Sequence, residues 1–218
     1  MELDDVKARS RATILTRRRL IAISALAACP LPLPLLAGSR VPIPTPRQTA
    51  GPFYPDRLPA DRDSDLVRIA GRAGEAAGEI LGLDGRVLTR DGHPVAGARI
   101  EIWQVDAQGR YLAERDRGPD PDFQGYGASQ CDAAGRYSFR TIRPVPYTGR
   151  TPHIHIRVHH PDGRELTTQM YLAGEPGNAR DFLYRRLSPE EQAALTATLR
   201  PAAASGYRWQ TEFDLVFA

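Results

Sequence analysis

Glycine and proline cut this chain into short pieces. Its 218 residues include 19 of each, spread along the length rather than gathered in one tract. Proline interrupts helices and central strands, and glycine supplies the positive φ angles of tight turns. The pieces between them run with period two. Across 98–105, Ala98, Ile100 and Ile102 alternate with Arg99, Glu101 and Trp103, so that one face is aliphatic. Further strand-like runs cover 136–142, 153–159, 166–172 and 208–217, and 80–88 joins 95–105 as a hairpin through Asp91-Gly92. About six short strands with turn signals between them predict an all-β, antiparallel β-sandwich. One short helix is predicted toward the C-terminus. There Ser188-Pro189-Glu190-Glu191 makes a capping box with proline at the first helical position, and the helix continues until Pro201.

With 41% hydrophobic and 25% charged residues, the chain suits one globular domain. The pI near 9.1 raises the question of a nucleic-acid partner. Residues 1–28, however, hold Lys7, Arg9, Arg11, Arg17, Arg18 and Arg19 against Glu2, Asp4 and Asp5. Taking these from the 29 bases and 26 acids leaves 23 of each, so the body is neutral and no nucleic-acid function is read. Arg17-Arg18-Arg19 opens an apolar run too short and too proline-broken to span a bilayer. It resembles a twin-arginine export signal over 1–38, implying an exported, periplasmic protein. Leu26-Ala27-Ala28-Cys29 also matches a lipobox, so membrane attachment is expected only through a lipidated Cys29. Cys131 then remains as the one cysteine of the body, a small buried hydrophobe. Residues 39–78 read as an extended N-terminal arm, and 79–218 as the β domain.

Four of the five histidines fall between 153 and 160. His153 and His155, at i and i+2 of a strand, project from one face, a start to a metal site. Alone the pair is equally a polar strand face. A two-histidine, one-carboxylate site would want an acid soon after the second histidine, but His159 and His160 come first and the nearest acids are Asp162 and Glu165. Tyrosine is more informative: Tyr147 stands six residues before His153, and Tyr111 ends the turn after the 98–105 strand.

Taken together, several stretches resemble the intradiol ring-cleaving dioxygenases of protocatechuate 3,4-dioxygenase type. They are Pro94-Val95-Ala96-Gly97-Ala98 through Glu101-Ile102-Trp103-Gln104 to Gly109-Arg110-Tyr111, and Gly135-Arg136-Tyr137-Ser138-Phe139 to Tyr147. Arg150 with His153-Ile154-His155, Thr168-Gln169-Met170-Tyr171 and Thr49-Ala50-Gly51-Pro52-Phe53-Tyr54 complete the set. The resemblance spans about 45–217 in the right order. It implies a prealbumin-like sandwich and non-haem Fe(III) held by Tyr111, Tyr147, His153 and His155. It also implies that Tyr147 leaves the metal when substrate binds, that Arg150 and Gln169 act beside the substrate, and that Thr49, Ala50, Gly51, Pro52, Tyr54 and Arg150 line its pocket. The expected partners are a small aromatic diol, O2 and further copies of the chain in a homo-oligomer.

The chemistry suits those residue types. A phenol of pKa near 10 is protonated at neutral pH, but a trivalent cation favours the phenolate. A catechol bound as a dianion sheds two protons, one to a hydroxide and one to Tyr147. Two features depart from the family pattern. The stretch from Tyr147 to Arg150 is short, and one chain carries both the 49–54 segment and the full ligand set. The competing readings are a transthyretin-like module that binds an aromatic without turnover, and a Cu or Zn site on His153 and His155.

Overall fold

The structure, a computed structural model, describes residues 43–218 except Arg115, Arg117 and Ser205. The export-signal reading of 1–38, Cys29 included, lies outside the described residues. The elements run β1 (Ile80–Thr89), β2 (Arg99–Trp103), β3 (Tyr126–Gln130), β4 (Arg136–Ile142), β5 (His153–His159), β6 (Glu165–Leu172), α1 (Pro189–Leu195), β7 (Thr196–Ala197), β8 (Arg200–Pro201), β9 (Trp209–Glu212) and β10 (Leu215–Phe217), with 3-10 turns at Pro176–Ala179 and Tyr184–Arg186 before α1. Among the described residues no helix is long and apolar enough to cross a membrane.

Two five-stranded sheets result. In the first, β1 is central: β4 pairs along one edge, and β9 and then β10 along the other, with β8 outside β9. The second has the order β3-β2-β5-β6-β7. The fold is β-rich as expected, but neither sheet is purely antiparallel. β1 runs parallel to β9 and β10, and β6 runs parallel to β7. These parallel pairs come from the last 23 residues, where the chain returns to sheet edges from the far end, a choice invisible in strand periodicity.

The expected hairpin is also corrected. The Asp91-Gly92 turn forms, with Thr89 N–H donating to His93 O and Val95 N–H to Val87 O. Beyond it the chain leaves the first sheet, and β2 pairs with β3 and β5 in the second. The aliphatic side chains of both sheets then meet. Leu81, Leu83, Val87 and Phe139 from one and Ile100, Ile102, Ile154, Ile156, Val158 and Met170 from the other form one buried cluster. Each such side chain is worth about 1.5–3 kcal/mol relative to exposure.

α1 has its capping box: Ser188 Oγ accepts from Glu191 N–H, and the Glu191 carboxylate accepts from Ser188 N–H. It stops at Leu195 rather than continuing to Pro201, because Thr196 and Ala197 are drawn into pairing with Tyr171 and Leu172. β3 was not anticipated, since Tyr-Gly-Ala-Ser-Gln lacks apolar alternation. Its Gly127 lies under the 57–78 segment, where a Cβ would sit 2.4 Å from Leu66 Cδ1 and 2.6 Å from Asp63 O. That segment gives no sequence pattern, yet Leu66 and Val67 are fully buried in the main core. It is held by Leu66 N–H to Arg140 O and Arg140 N–H to Ser64 O.

Candidate metal centre

The outer face of the second sheet carries the side chains that the core does not use. Register sets Trp103 of β2 beside His155 of β5, and His155 beside Gln169 of β6; one step along, His153 faces Tyr171. A second, aromatic cluster covers this end of the face: Trp103, Val105, Tyr111 and Tyr126 are buried, and Ala50, Phe53, Tyr54, Val145 and Tyr147 pack against them. The arm brings its residues there by extended backbone. Gln48 N–H donates to Thr167 O, and Gln169 Nε2 donates to Thr49 O at 2.9 Å.

Tyr111 follows a turn closed by Asp106, whose Oδ1 accepts from Gln108 and Arg110 N–H. The turn needs Gly109. Its φ is +76°, and a Cβ there would press on Pro146 O at 3.3 Å and Tyr147 Cβ at 3.5 Å. The two tyrosine-bearing loops are thereby packed together, and the Tyr111 and Tyr147 rings meet edge to face, 5.3 Å apart.

Four polar groups converge. Tyr111 Oη lies 3.0 Å from His155 Nε2 and 3.4 Å from His153 Nε2, and the two Nε2 atoms are 3.2 Å apart. Tyr147 closes the group, its hydroxyl near enough to Tyr111 to raise the latter's pKa. Both histidines are buried. Burial, then the Arg150 charge, pushes His153 down to about 4. Burial, then His153, holds His155 well below the usual imidazole value. Both are therefore neutral at pH 7. His153 Nδ1 donates to Thr151 O at 2.8 Å, which leaves the Nε2 lone pair directed inward. His155 Nδ1 has no aligned hydrogen-bond partner, although the Thr49 carbonyl is close enough to oppose the shift. The indole of Trp103 lies flat on the His155 ring, centroids 4.9 Å apart, and fixes its plane.

Burial also raises the Tyr111 pKa, and Tyr147 adds to the effect. This phenol stays protonated unless a strong cation joins it. Arg150 is the nearest positive group, with Nη1 3.5 Å from Tyr147 Oη and Nη2 donating to Gln169 Oε1 at 2.6 Å. Its Nε donates to Asp181 Oδ2 at 2.8 Å. Burial opposes the guanidinium charge, but Asp181 prevails and raises its pKa.

All four proposed ligands and both second-row residues thus come together. The pocket residues divide. Ala50 and Gly51 lie over the site, with Gly51 beside His155 Cε1, while Thr49 contributes its carbonyl and Pro52 is exposed. Tyr54 turns away: its hydroxyl donates to Glu101 Oε2 at 3.0 Å, and its ring meets Trp103 and Tyr126. Phe53, missing from the sequence-based set, stacks on Tyr111 at 4.6 Å and 12° and meets Tyr147 edge to face. Pro52, Phe53 and Tyr54 lie in a turn, where strand alternation does not say which ring faces the site. Asp181 was also missed, and no spacing marks it.

Among the described residues no three His, Cys, Asp or Glu side chains gather as a metal site. Two imidazoles and two phenols, with no carboxylate group among them, meet on the outer face of the second sheet. Sequence comparison agrees. The family described as "Dioxygenase" (Dioxygenase_C) matches residues 49–218, and the chain belongs to this intradiol dioxygenase family. It is 34% identical to the protocatechuate 3,4-dioxygenase beta chain of Burkholderia cepacia over 186 residues, covering 78% of this chain and 77% of the relative. It is 31% identical to hydroxyquinol 1,2-dioxygenase of Corynebacterium glutamicum over 77% of this chain, which spans 62% of that relative's length. Among solved structures, the dioxygenase domain of a dioxygenase carbohydrate-binding protein fusion from Streptomyces sp. SirexAA-E superposes with a TM-score of 0.63 at 32% identity. It covers 80% of this chain and 97% of that one. These relatives do not favour a binding module without turnover.

Proposed function

We propose that this protein cleaves the ring of a catechol-type aromatic with O2, between its two hydroxyl-bearing carbons, to a cis,cis-muconate-type diacid. The observation that carries this is the triangle of Tyr111 Oη, His153 Nε2 and His155 Nε2, with edges of 3.0–3.4 Å. Adjacent ligands about 2.0–2.1 Å from one cation are separated by such distances. The donor set fits Fe(III): two neutral imidazoles and two phenols, of which Tyr111 is kept protonated by burial until a highly charged partner joins it. Tyr111, Tyr147, His153 and His155 would hold it. Bound there, the ion would supply Lewis acidity and draw electron density from the catecholate.

The chain's own residues do the rest. Tyr147 is half-buried where Tyr111 is buried, so it is the phenol placed to move and to take one catechol proton. Arg150 stands beside the Tyr147 hydroxyl, where negative charge on the substrate develops, and needs no reorganisation to meet it. Gln169 ties Arg150 to the arm through Thr49. Phe53, Ala50 and Val145 wall the space with apolar surface and keep water from it.

The test is the visible spectrum of iron-loaded protein before and after anaerobic catechol. A tyrosinate charge-transfer band that moves to longer wavelength is expected. A colourless protein with iron bound would remove Tyr111 and Tyr147 from ligation. We also keep as proposals the prealbumin-like packing of the two sheets, the domain division at 38 and 78, twin-arginine export with optional Cys29 lipidation, and a homo-oligomer. Cell fractionation, mass spectrometry of the mature chain and sedimentation check the last two.

A further inference from the structure

Asp181 lies in no strand and in no motif, yet its side chain is fully buried. A buried carboxylate needs donors for its lone pairs, about four in number. It has four. Oδ2 accepts from Arg150 Nε at 2.8 Å and from Thr151 N–H at 3.0 Å. Oδ1 accepts from Leu183 N–H at 2.9 Å and Tyr184 N–H at 3.0 Å. Although burial would raise its pKa, the bonds from Tyr184, Arg150 and Thr151 hold it below the usual carboxylate value.

Those bonds have two consequences for the site. A guanidinium is planar, so holding Nε fixes the directions of both terminal amines. Nη2 then meets Gln169 Oε1 at 2.6 Å, and Nη1 points at the Tyr147 hydroxyl, 3.5 Å away. The bond from Thr151 N–H steadies the residue whose carbonyl accepts the hydrogen bond from His153 Nδ1. The next residue, Phe182, is 54% exposed and lies 5.5 Å from the Arg150 Cζ.

We propose that Asp181 is a positioning residue: it holds Arg150 with one amine turned toward the place where substrate displaces the Tyr147 hydroxyl. This deepens the ring-cleavage reading and rests on it. A carboxylate that merely closed the 180–184 loop would affect stability and every kinetic parameter together. One that aims Arg150 acts on kcat, and only while Arg150 is present.

Asp181→Asn keeps the volume but replaces one acceptor with a donor, so an amide N–H must face either Arg150 Nε–H and Thr151 N–H or the two N–H groups of the turn. Two measurements are made on it. In metal-free protein, NMR follows exchange of the Arg150 Nε proton, expected to be slow in the parent and fast in the variant. In iron-loaded protein, kcat for catechol should fall about 10–100-fold with KM changed by less than about threefold. Combining Asp181→Asn with Arg150→Ala should be no slower than Arg150→Ala alone. A protected Nε proton in the variant, an unchanged kcat, or effects that multiply would each overturn the proposal. If the variant does not fold, Arg150→Lys decides: it keeps the charge but cannot serve Asp181, Gln169 and Tyr147 from one fork. Turnover at the parent rate would then overturn the proposal, and loss like that of Arg150→Ala would support it. A parent protein with no turnover of any catechol sinks the ring-cleavage reading instead, while the exchange measurement still decides whether Asp181 holds the guanidinium.

Discussion

One strand, β5, presents two pairs of residues on the same face, and they have opposite surroundings. His153 and His155 are buried among Trp103, Tyr111, Tyr171 and Gln169, with no carboxylate in contact. Arg157 and His159, two steps on, look over Glu101 and Glu165. His159 Nδ1 is 2.9 Å from Glu165 Oε1, and its Nε2 is 3.1 Å from Glu101 Oε1 without hydrogen-bond alignment. Arg99 completes the ionic end with a 2.5 Å pair to Glu101, and Arg157 lies over the Tyr54 ring at 4.2 Å. The difference lies in what β2, β6 and the arm set opposite each histidine. His159 has carboxylates on two sides. Phenols and an amide around a buried histidine leave it neutral, with a lone pair to give.

Breaking the first end should have the largest effect. His155→Ala is expected to lose iron and to slow turnover by more than the roughly 10–100-fold seen when groups behind a ligand are changed. Iron per chain by metal analysis checks it, and a fully loaded variant would undo the ligand assignment.

Acid should separate the ends next. Burial pushes the His153 pKa down to about 4 in the fold from 6.5 for the unburied side chain, so between those values the unfolded chain binds the extra proton. The stabilisation is complete above pH 6.5 and is lost as pH falls toward 4, to an extent of about 3 kcal/mol. Urea titrations of metal-free protein across that range should show it, and His153→Gln should lessen the slope, leaving the part due to His155, which burial also holds low.

The latch between arm and ionic end gives a smaller effect. Tyr54→Phe deprives Glu101 of one donor while Arg99 remains, a loss of about 1 kcal/mol. Tm should fall by roughly 2–4 °C for a domain of this size. Because Phe53 and Ala50 hang from the same arm, KM for catechol should rise as well. An unchanged Tm would show that the arm is held by its backbone bonds alone. Last, His159→Ala should keep full iron content and alter kcat by less than about twofold, as for a substitution remote from the site. Iron loss there would erase the contrast between the two ends.

Much of this was legible in local pattern. Period-two alternation marked β4, β5 and the inward face of β2, because a strand must present alternate residues to the core whatever its partners. The capping box marked the start of α1 because it closes within four residues. The ordered motifs carried the family, and with it the two tyrosines and two histidines. Tertiary structure decided the rest. It placed β1 and β2 in different sheets, set β9 and β10 parallel to β1, and ended α1 where Thr196 found a strand to pair with. It chose Phe53 over Tyr54 as the wall against Tyr111, and it brought Asp181 from 31 residues away to hold Arg150. Side chains from other strands decided that His153 and His155 face phenols and an amide while His159, on the same face, sits between Glu101 and Glu165. Desolvation and Coulomb interactions depend on distance through space, and separation along the chain carries no record of it.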